Sequence, residues 1–293
     1  MENTPLVSIL TVNFNQAEVT CDLIRSLRRM SYQNIEIIVV DNGSQKDDPS
    51  SIPERFSDIT FLKTGKNLGF AGGNNFGLPY CHGDYVLFIN NDVEVEPDFL
   101  EPMLAAFAKF PQVGMVSPRI HYFDSPGLIQ YAGSTPINPM TMRNAGIGSF
   151  EKDTGQYLDS RVTAYIHGAC MLVSREVMEK VGFMHEDYFL YYEELDWCHR
   201  VSEAGYQIIF EGRSLVHHKE SVSVGRASPL KMYYMTRNRL LFARRNFKKW
   251  DRIAAMLFFA FFSVPKNVAT LILKGQFELI KPFFKGIIWN FSN

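Results

Sequence analysis

Cysteine is scarce in this 293-residue chain: Cys21, Cys81, Cys170 and Cys198 make up the set, and no two stand at a metal-binding spacing. That argues against a zinc ribbon or a disulfide framework; each thiol reads as a small core residue, and a reduced, cytosolic compartment is the expectation. The first residues lack a basic stretch followed by an apolar run, so no secretory leader is read there. Repeats and low-complexity tracts are missing as well. The fingerprint Gly-x-Gly-x-x-Gly does not occur, and the first apolar run ends in Asn13-Phe14-Asn15 without a Gly-rich or basic turn. Dinucleotide binding of the Rossmann type, and the triphosphate loop expected of a nucleotidyltransferase, are therefore disfavoured. Acid is nearly absent from the last stretch: residues 231–293 hold 12 Lys and Arg against 2 Asp and Glu, whereas residues 1–230 hold 18 against 29.

What is present is a chain that is 46% hydrophobic, enough for a large core. Leu6 to Val12 and Ile35 to Val40 are short apolar runs, and between them Val19, Leu23, Leu27 and Met30 recur at helical spacing. Asn15 and Glu18 stand where a capping box would start that helix. The unit reads as βαβ, hence parallel strands with a right-handed crossover. A third run, Ile59 to Leu62, precedes Lys66-Asn67-Leu68-Gly69-Phe70-Ala71-Gly72-Gly73-Asn74-Asn75-Phe76-Gly77. That segment is too rich in Gly and Asn for an ordinary core helix; its glycines suit close approach to a ligand, or a tight helix–sheet contact. The run Tyr85 to Ile89 ends in Asn90-Asn91-Asp92, so a carboxylate stands at the carboxyl end of a buried strand. Open α/β sheets hold ligands there, although turn chemistry alone also places Asp after strands.

In their order, these motifs resemble the family 2 glycosyltransferases of the GT-A fold, in particular a rhamnosyltransferase-like bacterial branch. The matching residues are Val7 to Asn15, Val40-Asp41-Asn42-Gly43-Ser44, Asn67 to Asn74, Asn90-Asn91-Asp92, Tyr188 to Cys198, and Val216-His217-His218-Lys219-Glu220-Ser221. The resemblance implies an α/β fold with a mixed, mainly parallel central sheet flanked by helices. It also implies an inverting transferase that moves a sugar, rhamnose from dTDP-rhamnose being one choice, from a dTDP- or UDP-sugar to a glycan or lipid-linked glycan acceptor in cell-surface polysaccharide synthesis. A noncatalytic sugar-nucleotide-binding or scaffold protein of the same fold is the alternative.

Residue by residue, Asn90 and Asp92 match the ends of the family's metal motif, with Asn in place of the first Asp. His218 matches its histidine, and His217 is one register step away. These imply a divalent cation, Mg or Mn. Asp41 matches the residue at the nucleobase or ribose, and Val12, Asn13, Lys66, Asn67, Gly73, Asn74, Asn91 and Asp92 fall on donor-binding positions. Glu194 matches the catalytic base, with Glu in place of the usual Asp. Glu193, Asp196 and Trp197 are expected at the acceptor, the alternatives being an acidic cluster that complements a helix dipole and a buried core tryptophan.

Tyr122 to Thr163 is rich in Gly, Pro, Ser and Asn, and an irregular insertion of that length is expected to form a lid or binding loop. Tyr165 to Val173 reads as a strand facing the site, Glu193 to Ala204 as a helix closed by Gly205, and Gln207 to Phe210 and Leu215 to His218 as further extended segments. Residues 1–230 are expected to form the catalytic domain and 231–293 a helical appendage. There, Arg237, Arg239, Arg244, Arg245, Lys248, Lys249 and Arg252 flank the apolar run Ile253 to Phe262. Such a composition suits an anionic membrane interface, hence a peripheral place at the inner face of the cell membrane, with an oligomer contact as the alternative. A span needs ~20 apolar residues, and Ser263, Pro265, Lys266 and Asn267 are expected to interrupt this one. Nucleic acid is not expected, since the basic tail carries no nucleic-acid module.

Overall fold

The computed structural model describes residues 4–219 and 228–292, so Glu220 and Ser221 of the last motif lie outside the described residues. The first half runs β1 (Val7–Asn13), α1 (Ala17–Leu27), β2 (Ile35–Asp41), α2 (Ser51–Arg55), β3 (Thr60–Lys63), α3 (Gly69–Gly77), β4 (Tyr85–Ile89), β5 (Val93–Val95), α4 (Leu100–Lys109) and β6 (Val113–Tyr122). The second runs β7 (Ile129–Tyr131), β8 (Arg161–Val162), β9 (Cys170–Ser174), α5 (Arg175–Val181), α6 (Glu193–Glu203) and β10 (Gln207–His218). Four helices follow: α7 (Pro229–Asn246), α8 (Lys249–Phe258), α9 (Val264–Leu273) and α10 (Ile280–Ser292).

The strands form one ten-stranded sheet ordered β3-β2-β1-β4-β9-β6-β10-β5, with β7 added beside β6 and β8 beside β10. As the βαβ pattern implies, β1 lies parallel to both β2 and β4. Antiparallel β9 then joins β4 to β6, which makes the sheet mixed. Both faces of β1 are covered: Ile9 packs into the core shared with Leu23, Ile24 and Leu27 of α1, and Leu10 into the core shared with Ala71 of α3 and Trp197 of α6. Burial on two faces is why these strands read as mainly apolar runs rather than alternating ones, and Ser8 and Thr11 of β1 are themselves buried.

Three local expectations are corrected and one open choice is decided. The capping box does not form: Asn15 has φ 56° and its Oδ1 accepts from the Gln45 and Lys46 amides, while Glu18 faces Arg25 and Arg55. The free amide of Ala17 is satisfied by Asp47 Oδ2 at 2.5 Å instead. The Gly-rich segment is helical after all, and glycine is what lets it lie on the sheet: a Cβ on Gly77 would collide with Leu10 and Val40. The two extended segments after α6 are one strand, β10, with a register irregularity between Glu211 and Leu215. Finally, Ser263, Pro265, Lys266 and Asn267 do not break the C-terminal helix. A π-helical stretch, Phe259–Ser263, carries the chain from α8 into α9 and absorbs the missing Pro265 amide.

The resulting helix Lys249–Leu273 has 25 residues and a mean hydropathy of 1.7 in its most apolar window, of which only 11% is buried. By length and composition alone it could cross a membrane. Helix α7, by contrast, packs into the residues that precede it: Leu241 and Phe242 are buried with Tyr188 and Tyr192. Arg237 and Arg239 are likewise not surface charges, each being buried on α7.

Candidate active site

A cavity of ≈ 680 Å³ opens at the carboxyl ends of β1 and β4. One wall comes from Val12, Phe14, Asn42, Asn67, Gly69 and Phe70, and the strand-end residues Asn90, Asn91 and Asp92. The insertion adds Tyr122, Gln130, Tyr131, Ser134 and Asn144 to the lining, as expected of a binding loop. His167 and Gly168 enter just before β9, and Phe189, Tyr191, Glu193, Glu194 and Leu195 close the remaining side.

Asp92 and His218 meet in this cavity, with Oδ1 and Nε2 3.1 Å apart and both side chains buried. On the outer side of the ring, His218 Nδ1 lies 2.8 Å from Gln130 Oε1. That carboxamide oxygen only accepts, so Nδ1 carries a proton and Nε2 is the nitrogen turned to the carboxylate. One carboxylate oxygen and one imidazole nitrogen at this separation fit an edge of a divalent-cation site. Asn90 lines the same cavity and adds a neutral oxygen. Among the described residues, no cluster of three His, Cys, Asp or Glu completes a cage, so further ligands would have to come from a bound diphosphate or water. His217 points the other way, to Glu96 at 2.8 Å, which resolves the choice between the adjacent histidines.

Across the cavity, Glu193 and Glu194 begin α6. Burial raises the Glu194 carboxyl above the usual range, against the pull of the main-chain N–H groups of Glu194, Leu195 and Tyr192. Glu193 is raised well above it by deeper burial and by the neighbouring Glu194 charge, and its Oε2 has no hydrogen-bond partner among the described residues. The approach to this helix is strained: Phe189, Tyr191 and Tyr192 have φ of 62°, 70° and 76°, unfavourable for aromatic residues. Asn238 of α7 holds that backbone in place. Its Nδ2 donates to the carbonyls of Tyr188 (2.9 Å), Leu190 (2.8 Å) and Tyr191 (2.7 Å). Arg237 Nε donates to Asn238 Oδ1 at 2.7 Å, which fixes the amide's orientation.

The other sequence-derived site residues divide in two. Asn67 and Asn91 line the cavity with Val12, Asn91 donating to Thr20 Oγ1 at 3.0 Å. Asn13 and Asp41 lie one layer behind, Asn13 Nδ2 donating to Asp41 Oδ1 at 2.9 Å, and the cavity wall there is Asn42. Lys66 is exposed and outside the wall. Gly73 faces Val12, whose Cγ1 would stand 3.0 Å from a Cβ, and Asn74 donates to Phe70 O within the helix. Two acceptor expectations are corrected. Trp197 is fully buried edge-on to Phe88, its indole N–H bonded to Gly182 O, because α6 turns that face to the core. Asp196 is committed to Tyr188, Arg200 and Asn246, each at 2.9 Å.

The sequence reading missed His167, Gln130 and Asn238. His167 Nδ1 accepts from the Ala169 amide at 3.2 Å, and burial lowers the ring to about 3, so it stands neutral with its proton on Nε2.

A mixed α/β sheet with the cavity at its strand ends is the GT-A architecture. The family model for glycosyl transferase family 2 matches residues 8–182, and the chain belongs to that family. The uncharacterized protein y4gI of Sinorhizobium fredii is 30% identical over 86% of this chain, which spans 28% of that protein's length. The N-acetylglucosaminyl-diphospho-decaprenol L-rhamnosyltransferase of Mycobacterium tuberculosis is 25% identical, over 76% of this chain and 79% of its own. Among solved structures, the mannosyltransferase PcManGT of Pyrobaculum calidifontis, in complex with GDP-Man and Mn2+, superposes with a TM-score of 0.61 at 16% identity. The match covers 99% of this chain and 88% of that one.

Proposed function

We propose that the protein is an inverting glycosyltransferase that binds a nucleotide-diphosphate sugar, rhamnose from dTDP-rhamnose being the first donor to try, and glycosylates a lipid-linked saccharide at an anionic membrane face. What supports this reading is one arrangement: the Asp92–His218 pair and Glu194 line the same cavity.

An acceptor hydroxyl is a weak nucleophile near neutral pH and needs a positioned base as it attacks. Glu194 takes the hydroxyl proton, the acceptor oxygen bonds to the anomeric carbon, and the bond from that carbon to the diphosphate oxygen breaks with its electron pair. A single displacement of this kind inverts the anomeric centre. Asp92 and His218, with Asn90 beside them, would hold Mg or Mn, which supplies positive charge to the leaving diphosphate. Val12, Asn42, Asn67 and Asn91 face the donor, and neutral His167 offers an N–H donor to it. Glu193 stands beside the acceptor oxygen. Rhamnose and the lipid-linked acceptor draw support from the mycobacterial relative's name, and the membrane face from exposed Trp250, Leu257, Phe261, Phe262 and Leu273 among basic residues.

The test is thermal stability with UDP, dTDP and GDP, free and as sugars, with and without Mn. A metal-dependent rise with dTDP or UDP species, lost in Asp92→Ala, is expected. The absence of any rise would favour the noncatalytic scaffold.

A further inference from the structure

Arg239 on α7 is 7% exposed, yet its Nε and Nη2 have no hydrogen-bond partner among the described residues. Among the described residues it forms no salt bridge, and its guanidinium carbon lies 4.7 Å over the Phe259 ring. A buried cation left in this way is costly, and the usual remedy is an acid close by. Here a second cation approaches instead. Arg143 follows Met142, which is fully buried against Leu240 and Phe259, and precedes Asn144, which lines the catalytic cavity. Burial lowers the Arg239 guanidinium to about 10, and the charge of Arg143 adds to the effect. Both charges also reach the Tyr192 hydroxyl, immediately before Glu193 and Glu194.

We infer that Arg239 and Arg143 form a second anion site, distinct from the Asp92–His218 end, which takes the diphosphate of the lipid-linked acceptor. This deepens the function proposed above and rests on it. Arginine suits the task because its planar fork pairs with phosphate oxygens in two places. Its position suits an acceptor as well: Arg239 packs on Phe259 of the π-helical stretch within the exposed apolar helix, and Arg143 is next in the chain to Asn144, which lines the cavity that holds Glu194. A lipid diphosphate there would have its chain toward the apolar helices and its sugar toward the base.

The experiment measures binding of farnesyl diphosphate and inorganic pyrophosphate by calorimetry, for the full chain and for Arg143→Ala and Arg239→Met. A tenfold or greater loss of farnesyl diphosphate affinity in each variant, with UDP and dTDP affinity in Mn unchanged, is the expected result. Arg143 is exposed, so Arg143→Ala decides the matter if Arg239→Met fails to fold. No binding by the wild type, unchanged affinity in Arg143→Ala, or an equal loss of nucleotide affinity would overturn the assignment. If the variants lose only binding to phosphatidylglycerol vesicles, the pair reads lipid headgroups, and the acceptor site is likewise overturned. Failure of the wild type to bind any nucleotide would instead remove the donor reading.

Discussion

Asn238 Nδ2 lies 2.7 Å from the carbonyl oxygen of Tyr191, a residue held at φ 70° just ahead of the two glutamates that begin α6. The same nitrogen serves the carbonyls of Tyr188 and Leu190, so one amide over-determines a strained turn. Asn238→Asp keeps the shape and replaces the donor by an acceptor facing three carbonyls. We expect a stability loss of about 2–4 kcal/mol, from unsatisfied buried polar groups. Amide exchange across residues 188–194 should rise at least tenfold while that of β1 and β4 stays slow. Uniform protection identical to wild type would show that Asn238 does not hold the turn.

Glu193 carries a second expectation. Its folded-state carboxyl is raised well above the ordinary range by burial and by Glu194, so the protein is stabilised by its protonation. The sign follows from linkage: this contribution is full below the unfolded value and is lost as pH rises through the folded one. Glu193→Gln removes the buried charge, so its melting temperature should exceed wild type at pH 8, by an amount equivalent to about 1–3 kcal/mol. The difference should shrink as pH falls toward 4. A melting-temperature difference independent of pH would mean that Glu193 is ionised alike in both states.

The exposed aromatic face of the last helices makes a third prediction. Phe261 and Phe262 are 71% and 65% exposed, and neither is needed for the packing of α7. Replacing both by Glu should leave melting unchanged and weaken sedimentation with phosphatidylglycerol vesicles more than tenfold, since burying each ring is worth about 1.5–3 kcal/mol. Undiminished sedimentation would place the membrane contact elsewhere or remove it.

Much of the framework was readable in the sequence because it rests on local signals. Tyr85 to Ile89 is an unbroken apolar run and Val7 to Val12 is interrupted only by buried Ser8 and Thr11, and a strand buried on both faces leaves that mark. Asp92 and His218 were found through motif order, and the strand's twofold alternation then separates His218 from His217. The helix start was misread because its cap is not local: Asp47, thirty residues on, supplies the oxygen that Asn15 and Glu18 were expected to provide. Gly69 to Gly77 was left open between ligand approach and a tight helix–sheet contact, because propensity weighs against glycine in a helix, whereas packing on Leu10 and Val40 demands it. Arg237, Asn238 and Arg239 were hidden in a basic stretch that resembles a surface. Asn238 finds its partners in main-chain carbonyls some fifty residues upstream, to which side-chain patterns carry no pointer.

The most direct measurement compares Glu194→Gln with wild type for both donor binding and sugar transfer across pH. Glutamine preserves the shape but cannot take a proton at working pH, so nucleotide-sugar affinity should stay within a factor of two while turnover falls by about 10²–10⁴. Because burial raises the Glu194 carboxyl, wild-type turnover should fall with decreasing pH already above the ordinary glutamate range. Turnover that survives the substitution with its pH profile intact would take the base role away from Glu194, and with it the displacement proposed for this cavity.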